Sequence, residues 1–147
     1  MAGLVRWDLD ELQAAALRLF LTKLDGWNAA RREAAARYAE LGLGEVCELP
    51  LDEAGHVYHM YCVRSPERDR LADALKAEQI GHAAYYVTPT HLQAAMGYLG
   101  WKPGDLPETE RAARENLCLP LWAGIDAATQ ERVVSVVRSA ATLQPAR

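Results

Sequence analysis

Several signatures that would announce a reaction are missing from this 147-residue chain. It contains no G-x-G-x-x-G, no G-x-x-x-x-G-K-[ST] and no G-x-S-x-G, which closes the familiar routes to dinucleotide, nucleoside triphosphate and serine-hydrolase chemistry. No apolar run approaches the roughly 20 residues that span a bilayer, and "MAGLVRWDLDELQ" meets acidic residues too early for a secretory signal. Positive charge is in deficit: 16 Lys and Arg face 20 Asp and Glu, for a net charge of −4 and a pI near 5.6. That balance argues against nucleic acid or an anionic membrane as the main partner. Cysteine is scarce, and Cys47, Cys62 and Cys118 are odd in number, widely spaced and set in apolar segments. Such thiols stay reduced, which places the chain in the cytoplasm. With no repeat, no low-complexity tract and no linker, residues 1–147 read as a single domain. A chain of this length buries roughly 68–70% of its unfolded surface, so it needs neither disulfides nor a structural metal.

Half of the composition is apolar, and its spacing predicts the elements. Asp8 is placed as a helix N-cap, with Glu11 completing a capping box and Trp7 and Leu12 a hydrophobic staple. Leu12, Ala16, Leu19, Leu24, Trp27, Ala34, Tyr38 and Leu41 then recur at three- and four-residue steps, interrupted by Arg31. This predicts one long helix from about Asp8 to Leu41, any kink falling near Gly26, ended by Gly42 and Gly44. "HVYHMYCVR", residues 56–64, reads as a central strand covered on both faces. Ser65-Pro66 opens a helix that runs to about Gln79 and stops at Gly81, after which the chain returns over Ala83 to Val87. "HLQAAMGYLG" and "PETERAARENL" predict two short helices, "NLCLPL" a brief strand ended by Pro120, and Asp126 the cap of a last helix whose valines 133, 134, 136 and 137 form its apolar face. "TLQPAR" reads as a frayed tail. The fold class is α+β: a small mixed or antiparallel sheet packed on one long N-terminal helix and several shorter ones.

Residue types alone name no reaction. His56, His59 and Cys62 sit at three-residue spacings, but alternation along a strand would send His59 to the face opposite His56 and Cys62, so no metal site is assigned. Cys118, between leucines in a buried strand, reads as a structural thiol rather than a nucleophile. Trp27 belongs to the apolar stripe, and Arg31, Arg32, Glu33 and Arg37 read as including a solvated face. The stretch "HAAYYVTPTHLQAA", residues 82–95, follows neither a helical nor a strand period. It gathers Tyr85, Tyr86, His91 and Gln93 where the backbone is irregular, the kind of loop that either packs or contacts a ligand.

The order of motifs carries more information. "WDLDELQAAALRLFLTKLDGWNAARREAAARYAE", "VYHMYCVRSPERDRLADAL", "YYVTPTHLQAA", "GDLPETERAARENLCLPLWAGI" and a closing helix resemble, in sequence order from about Asp8 to Ala140, the C-terminal part of the DegT/StrS family of sugar aminotransferases. The resemblance implies the small domain of a fold-type I enzyme in which pyridoxal phosphate performs the chemistry, an amino group passing to a keto sugar linked to a nucleotide. In that family the cofactor lysine, the aspartate on the pyridinium nitrogen and most phosphate contacts lie in a large N-terminal domain. Lys23, Lys76 and Lys102 match none of those positions.

The resemblance also marks departures. Gly3, Leu4, Val5, Arg6 and Trp7 stand where the family has a glycine, an asparagine and an arginine, so the asparagine that reaches a neighbouring subunit's cofactor phosphate is absent and only Arg6 is left as a cofactor contact. Met60 replaces a common glutamine. Tyr85 and Val87 replace the histidine and proline of "HYPxPxHxQ", whereas Tyr86, Pro89, His91 and Gln93 match it. Cys118 replaces a frequent serine, and Trp122-Ala123 an aromatic-proline pair. Matches and departures together imply the small domain of a nucleotide-sugar aminotransferase, not competent for transamination by itself and binding no cofactor alone. Arg6 would face the cofactor, and Tyr86, His91 and Gln93 the substrate cleft. Its partner would be a large cofactor-binding domain, supplied in trans or lost. A homodimer is a further expectation, since the family forms dimers. The other reading is a non-catalytic interaction or dimerisation domain that binds a full-length relative.

Overall fold

The computed structural model describes residues 10–142. Its first feature departs from the single long helix. Asp10 accepts from the Gln13 amide at 2.8 Å and caps α1 (Glu11–Leu21), and a second helix, α2, runs over Leu24–Glu40. The cap anticipated at Asp8 and its staple residue Trp7 lie outside the described residues. The interruption falls at Thr22 and Lys23 rather than at Gly26. There the Thr22 hydroxyl donates to the Leu19 carbonyl at 2.8 Å, a local bond that competes with the helical ladder. Nor does the apolar stripe bury along its length. No residue of α1 is buried, Leu12 is 85% exposed and Leu19 70%, and α1 touches α2 through Phe20 and Trp27, whose ring centroids are 5.9 Å apart. Only the second half of the stripe, Ala34 and Tyr38 together with Ala35, reaches the core.

Gly42 ends this region as expected, in a left-handed conformation with φ +81°; Gly44 instead lies inside a single 3₁₀ turn, Leu43–Glu45. The positive φ favours glycine at Gly42, and a Cβ there would also displace the Arg138 guanidinium, which binds the carbonyls of Leu41 and Gly42 and the Glu45 carboxylate.

The strand predicted over 56–64 shrinks to β1, Tyr61–Arg64. Gly55 and Tyr58 take positive φ of +87° and +46°, which breaks the extended run, and Arg31 donates to the Val57 carbonyl at 3.0 Å and secures the resulting loop. Arg31 therefore interrupts the stripe for a structural reason rather than as part of a solvated face. β1 pairs antiparallel with β2 (Asn116–Leu119) in the register Tyr61–Leu119, Cys62–Cys118, Val63–Leu117 and Arg64–Asn116. Single bridges extend the sheet on both edges, Glu48 to Arg64 and Ala83 to Cys118. The sheet is antiparallel throughout, and the class is α+β as read from the sequence.

Alternation divides this sheet into two faces. Tyr61, Val63, Leu117 and Leu119 point into the core, where they join Tyr38, Leu71, Leu75, Val133 and Val137. Leu71 and Leu75 come from α3 (Arg68–Ala77), and the valines from α5 (Ala127–Thr142). Ser65-Pro66 precedes α3 by a turn, the Ser65 hydroxyl accepting from the Glu67 amide, and α3 closes through Gln79 at φ +56° instead of Gly81. Asp126 caps α5 by accepting from the Thr129 amide at 2.7 Å. Gln130, 1% exposed, brings an amide side chain against this core and donates to the Ala34 carbonyl of α2 at 2.7 Å, so its burial is compensated. The sequence from 143 onward, including most of the anticipated tail, lies outside the described residues.

Candidate functional site

The opposite face of the sheet carries Cys62, Arg64, Asn116 and Cys118, and the irregular stretch singled out in the sequence covers part of it. "HLQAAMGYLG" forms two 3₁₀ segments, Thr90–Leu92 and Ala94–Leu99, rather than an α-helix. α4 (Pro107–Glu115) flanks them and runs directly into β2. Between loop, α4 and strands lies a cavity of about 400 Å³. Cys62 and Cys118 form its floor, Thr109, Ala112 and Ala113 one wall, and Tyr85, Tyr86, Pro89 and Thr90 the roof, with Met60 and Asn116 at its sides.

Asn116 builds this shape. Its side-chain nitrogen donates to the carbonyls of Ala112 and Ala113 at 3.0 and 3.1 Å, closing the last turn of α4, and its side-chain oxygen accepts from the Tyr85 amide at 2.9 Å. A single side chain thus ties α4, β2 and the roof together. Tyr86 follows at φ +52°, a conformation that non-glycine residues rarely hold, and its ring is 74% exposed at the cavity mouth.

The residues expected at the cleft separate in space. Tyr86 lines the cavity. His91 does not: it is 8% exposed, its Nε2 lies 3.3 Å from Glu110 Oε1, and its ring meets Trp101 edge-on at 6.5 Å. Glu110 Oε1 also accepts from the Gly104 amide at 2.7 Å. That bond, with smaller help from His91 and the Leu106 amide, holds the Glu110 carboxyl below its ordinary value. His91 therefore fastens the loop to α4 from behind. Gln93 is half-buried outside the cavity lining, its backbone closing the first 3₁₀ turn onto Thr90. Arg6 lies outside the described residues.

The two floor thiols interact. The neighbouring Cys118 side chain draws the Cys62 thiol down to about 7, while Cys62 and burial push Cys118 up. Cys47 sits apart in the core, its thiol pushed up to about 11 by burial. His56 accepts from the Tyr58 amide at 3.0 Å, in a loop rather than a strand. Among the described residues no cluster of three or more His, Cys, Asp or Glu side chains is placed to hold a metal ion.

Sequence reasoning passed over Asn116, Thr109 and Ala112. Asparagine at a helix end was the available signal, but its second bond, to a loop 31 residues away, has no local trace. The cavity also bears on pyridoxal phosphate, which needs an amine for its aldehyde and donors or cations for its phosphate. Its lining has no lysine, arginine, histidine or carboxylate, and Lys23, Lys76 and Lys102 all lie elsewhere. This lining therefore offers that cofactor neither the amine nor the cation it needs.

A short antiparallel sheet, with a helical core on one face and an apolar cleft roofed by an irregular loop on the other, defines a small α+β module. The chain belongs to the DegT/DnrJ/EryC1/StrS aminotransferase family, whose model matches residues 5–138. It is 40% identical over 134 residues to a "Pleiotropic regulatory protein" from Geobacillus stearothermophilus, covering 88% of this chain and 36% of that one. It is 38% identical over 142 residues to a "dTDP-3-amino-3,4,6-trideoxy-alpha-D-glucose transaminase" from Micromonospora megalomicea subsp. nigra, covering 91% and 38%. The crystal structure of DesV from S. venezuelae, "in complex with ketimine intermediate", superposes with a TM-score of 0.85 at 36% identity, over 91% of this chain and 37% of that one. The chain thus spans little more than a third of the length of these relatives. Among the described residues no helix is long and apolar enough to cross a membrane.

Proposed function

We propose that this chain is the small domain of a sugar aminotransferase acting on a keto sugar linked to a nucleotide, and that it forms one wall of a cleft whose catalytic groups come from the remainder of the family's length. The family's cofactor is pyridoxal phosphate; when bound, it supplies the electron sink for amino transfer. The observation that carries the reading is the cavity itself: an apolar slot with aromatic rings at its mouth and no ionisable amine or acid in its lining. Such a surface can pack against the C–H face of a sugar ring and exclude water, while it offers the cofactor neither an amine for its aldehyde nor a cation for its phosphate.

Within the completed cleft, Tyr86 presents its ring to the substrate, while Asn116 and the His91–Glu110 contact fix the loop that carries it. The exposed apolar side chains of α1, among them Leu12, Leu19, Phe20 and Leu21, pack against the large domain. Nucleotide-sugar chemistry and reduced thiols both suit the cytoplasm.

Titrating the chain into the separately expressed large domain of the Micromonospora relative, with pyridoxal phosphate and a dTDP-linked keto sugar, tests this. The mixture is expected to transaminate where neither part does, with activity saturating at one chain per large domain. Absence of both complex and turnover at every ratio contradicts the proposal. A stable complex without turnover favours the second reading, an interaction domain, which is supported by the same lack of lysine, arginine, histidine and carboxylate side chains in the cavity lining.

A further inference from the structure

The three cysteines divide into a buried one and a facing pair. Cys47 is closed into the core. Cys62 and Cys118 stand directly opposite each other across β1 and β2. Cys118 gives both its amide and its carbonyl to Ala83, at 2.7 and 3.2 Å, and Arg64 gives both of its own to Glu48, at 2.9 Å each. Neither residue has a backbone group left for the other strand, and ladder bonds alternate, so Cys62–Cys118 occupies a non-hydrogen-bonded position. At such positions the Cα atoms lie about 4.5 Å apart and the side chains are at their closest. That separation falls within the roughly 4.4–6.8 Å that a disulfide bridges. Both cysteines also floor the 400 Å³ cavity, which opens to solvent past Tyr86, so a small reagent can reach them.

We propose that Cys62 and Cys118 form a redox-active dithiol that reacts with a hydroperoxide entering the cavity. Cys62, as thiolate, attacks the terminal peroxide oxygen. An S–O bond forms, the O–O bond breaks, and the departing alkoxide or hydroxide takes up a proton, leaving a sulfenic acid on Cys62. Cys118 then attacks that sulfur: the S–S bond forms, the S–O bond breaks, and the hydroxide leaving group takes the Cys118 proton to become water. In sum, two thiols are oxidised to one disulfide and the hydroperoxide is reduced to an alcohol (water, for hydrogen peroxide itself) and water. A dithiol reductant reverses the change. Cys62 is half-buried and Cys118 buried, and the neighbouring thiol favours the Cys62 thiolate, so the pair is arranged with Cys62 first and Cys118 resolving. This proposal does not depend on which substrate the cleft takes.

The test uses the reduced 147-residue chain and hydrogen peroxide. A loss of about 2 Da per monomer is expected, with peptide mapping placing one link between Cys62 and Cys118, and Cys47 alkylated only after denaturation. Before oxidation, Cys62 should be alkylated at neutral pH at least about tenfold faster than Cys47. The variant Cys118→Ser keeps a donor beside Cys62 but cannot resolve, and it should trap the sulfenic acid as a dimedone adduct on Cys62. Over-oxidation of Cys62 without a link, a link through Cys47 or between chains, or no dimedone adduct in Cys118→Ser would each overturn the proposal.

Discussion

Tyr86 and Glu110 carry opposite kinds of information about the cleft. Tyr86 holds a left-handed backbone with its side chain largely in solvent, a conformation that costs on the order of 1–3 kcal/mol. Glu110 instead spends its carboxylate on the scaffold, binding the Gly104 amide and His91 behind the loop. Because its folded value lies below its unfolded one, the unfolded chain takes the proton first. The stabilisation is complete above the ordinary glutamate value and is lost as pH falls through the lower folded value. Urea midpoints measured from about pH 6 down to pH 3 should therefore fall less steeply for Glu110→Gln than for the parent chain, and parallel curves would contradict the assignment. At this scale the sequence was informative about residue type and silent about direction. Tyr86 and His91 belong to one matched motif, yet the chain turns His91 inward to Trp101 and Tyr86 outward, because the left-handed residue between strand bridge and 3₁₀ turn reverses the backbone. Asn116 was overlooked for a related reason, since its bond to the loop is set by tertiary approach.

Among the elements, some boundaries that rest on capping chemistry were legible, and those resting on periodicity were only half so. Asp126 caps α5 where the sequence placed it, Pro107 opens α4, and Pro120 follows β2. The long amphipathic stripe, by contrast, predicts that a face is apolar but not that anything covers it. Its first half is α1, with no buried residue, and the break at Thr22 comes from a hydroxyl bonding backward. The two halves therefore differ in energetics from the core elements they join. Leu75 is fully buried in the cluster joining α3, α5 and the sheet, so Leu75→Ala should cost about 2–5 kcal/mol. Leu19→Ala, at a position 70% exposed, should fall within about 0.5 kcal/mol of the parent. Denaturant titration of both variants of the chain checks this, and a large loss from Leu19→Ala would mean that α1 is already docked.

For the whole molecule, the same exposure acquires a purpose. A helix with Leu12, Leu19, Phe20 and Leu21 in solvent, in a chain spanning 36–38% of its relatives' length, is the surface that the proposed large domain would cover. The family and the α+β class were readable because five motifs lie in order along the chain. The cavity lining was readable only in part: Tyr86 lies in it, whereas His91 and Gln93 lie outside it. The account is tested most directly by replacing the C-terminal third of the Micromonospora transaminase with this chain and measuring transamination of its keto-sugar substrate. A chimaera that turns over, and whose rate falls when Tyr86→Ala is introduced while its cofactor loading is unchanged, is the predicted result. A folded, fully loaded chimaera without turnover, or one indifferent to Tyr86→Ala, would contradict the assignment of this chain as a wall of the aminotransferase cleft.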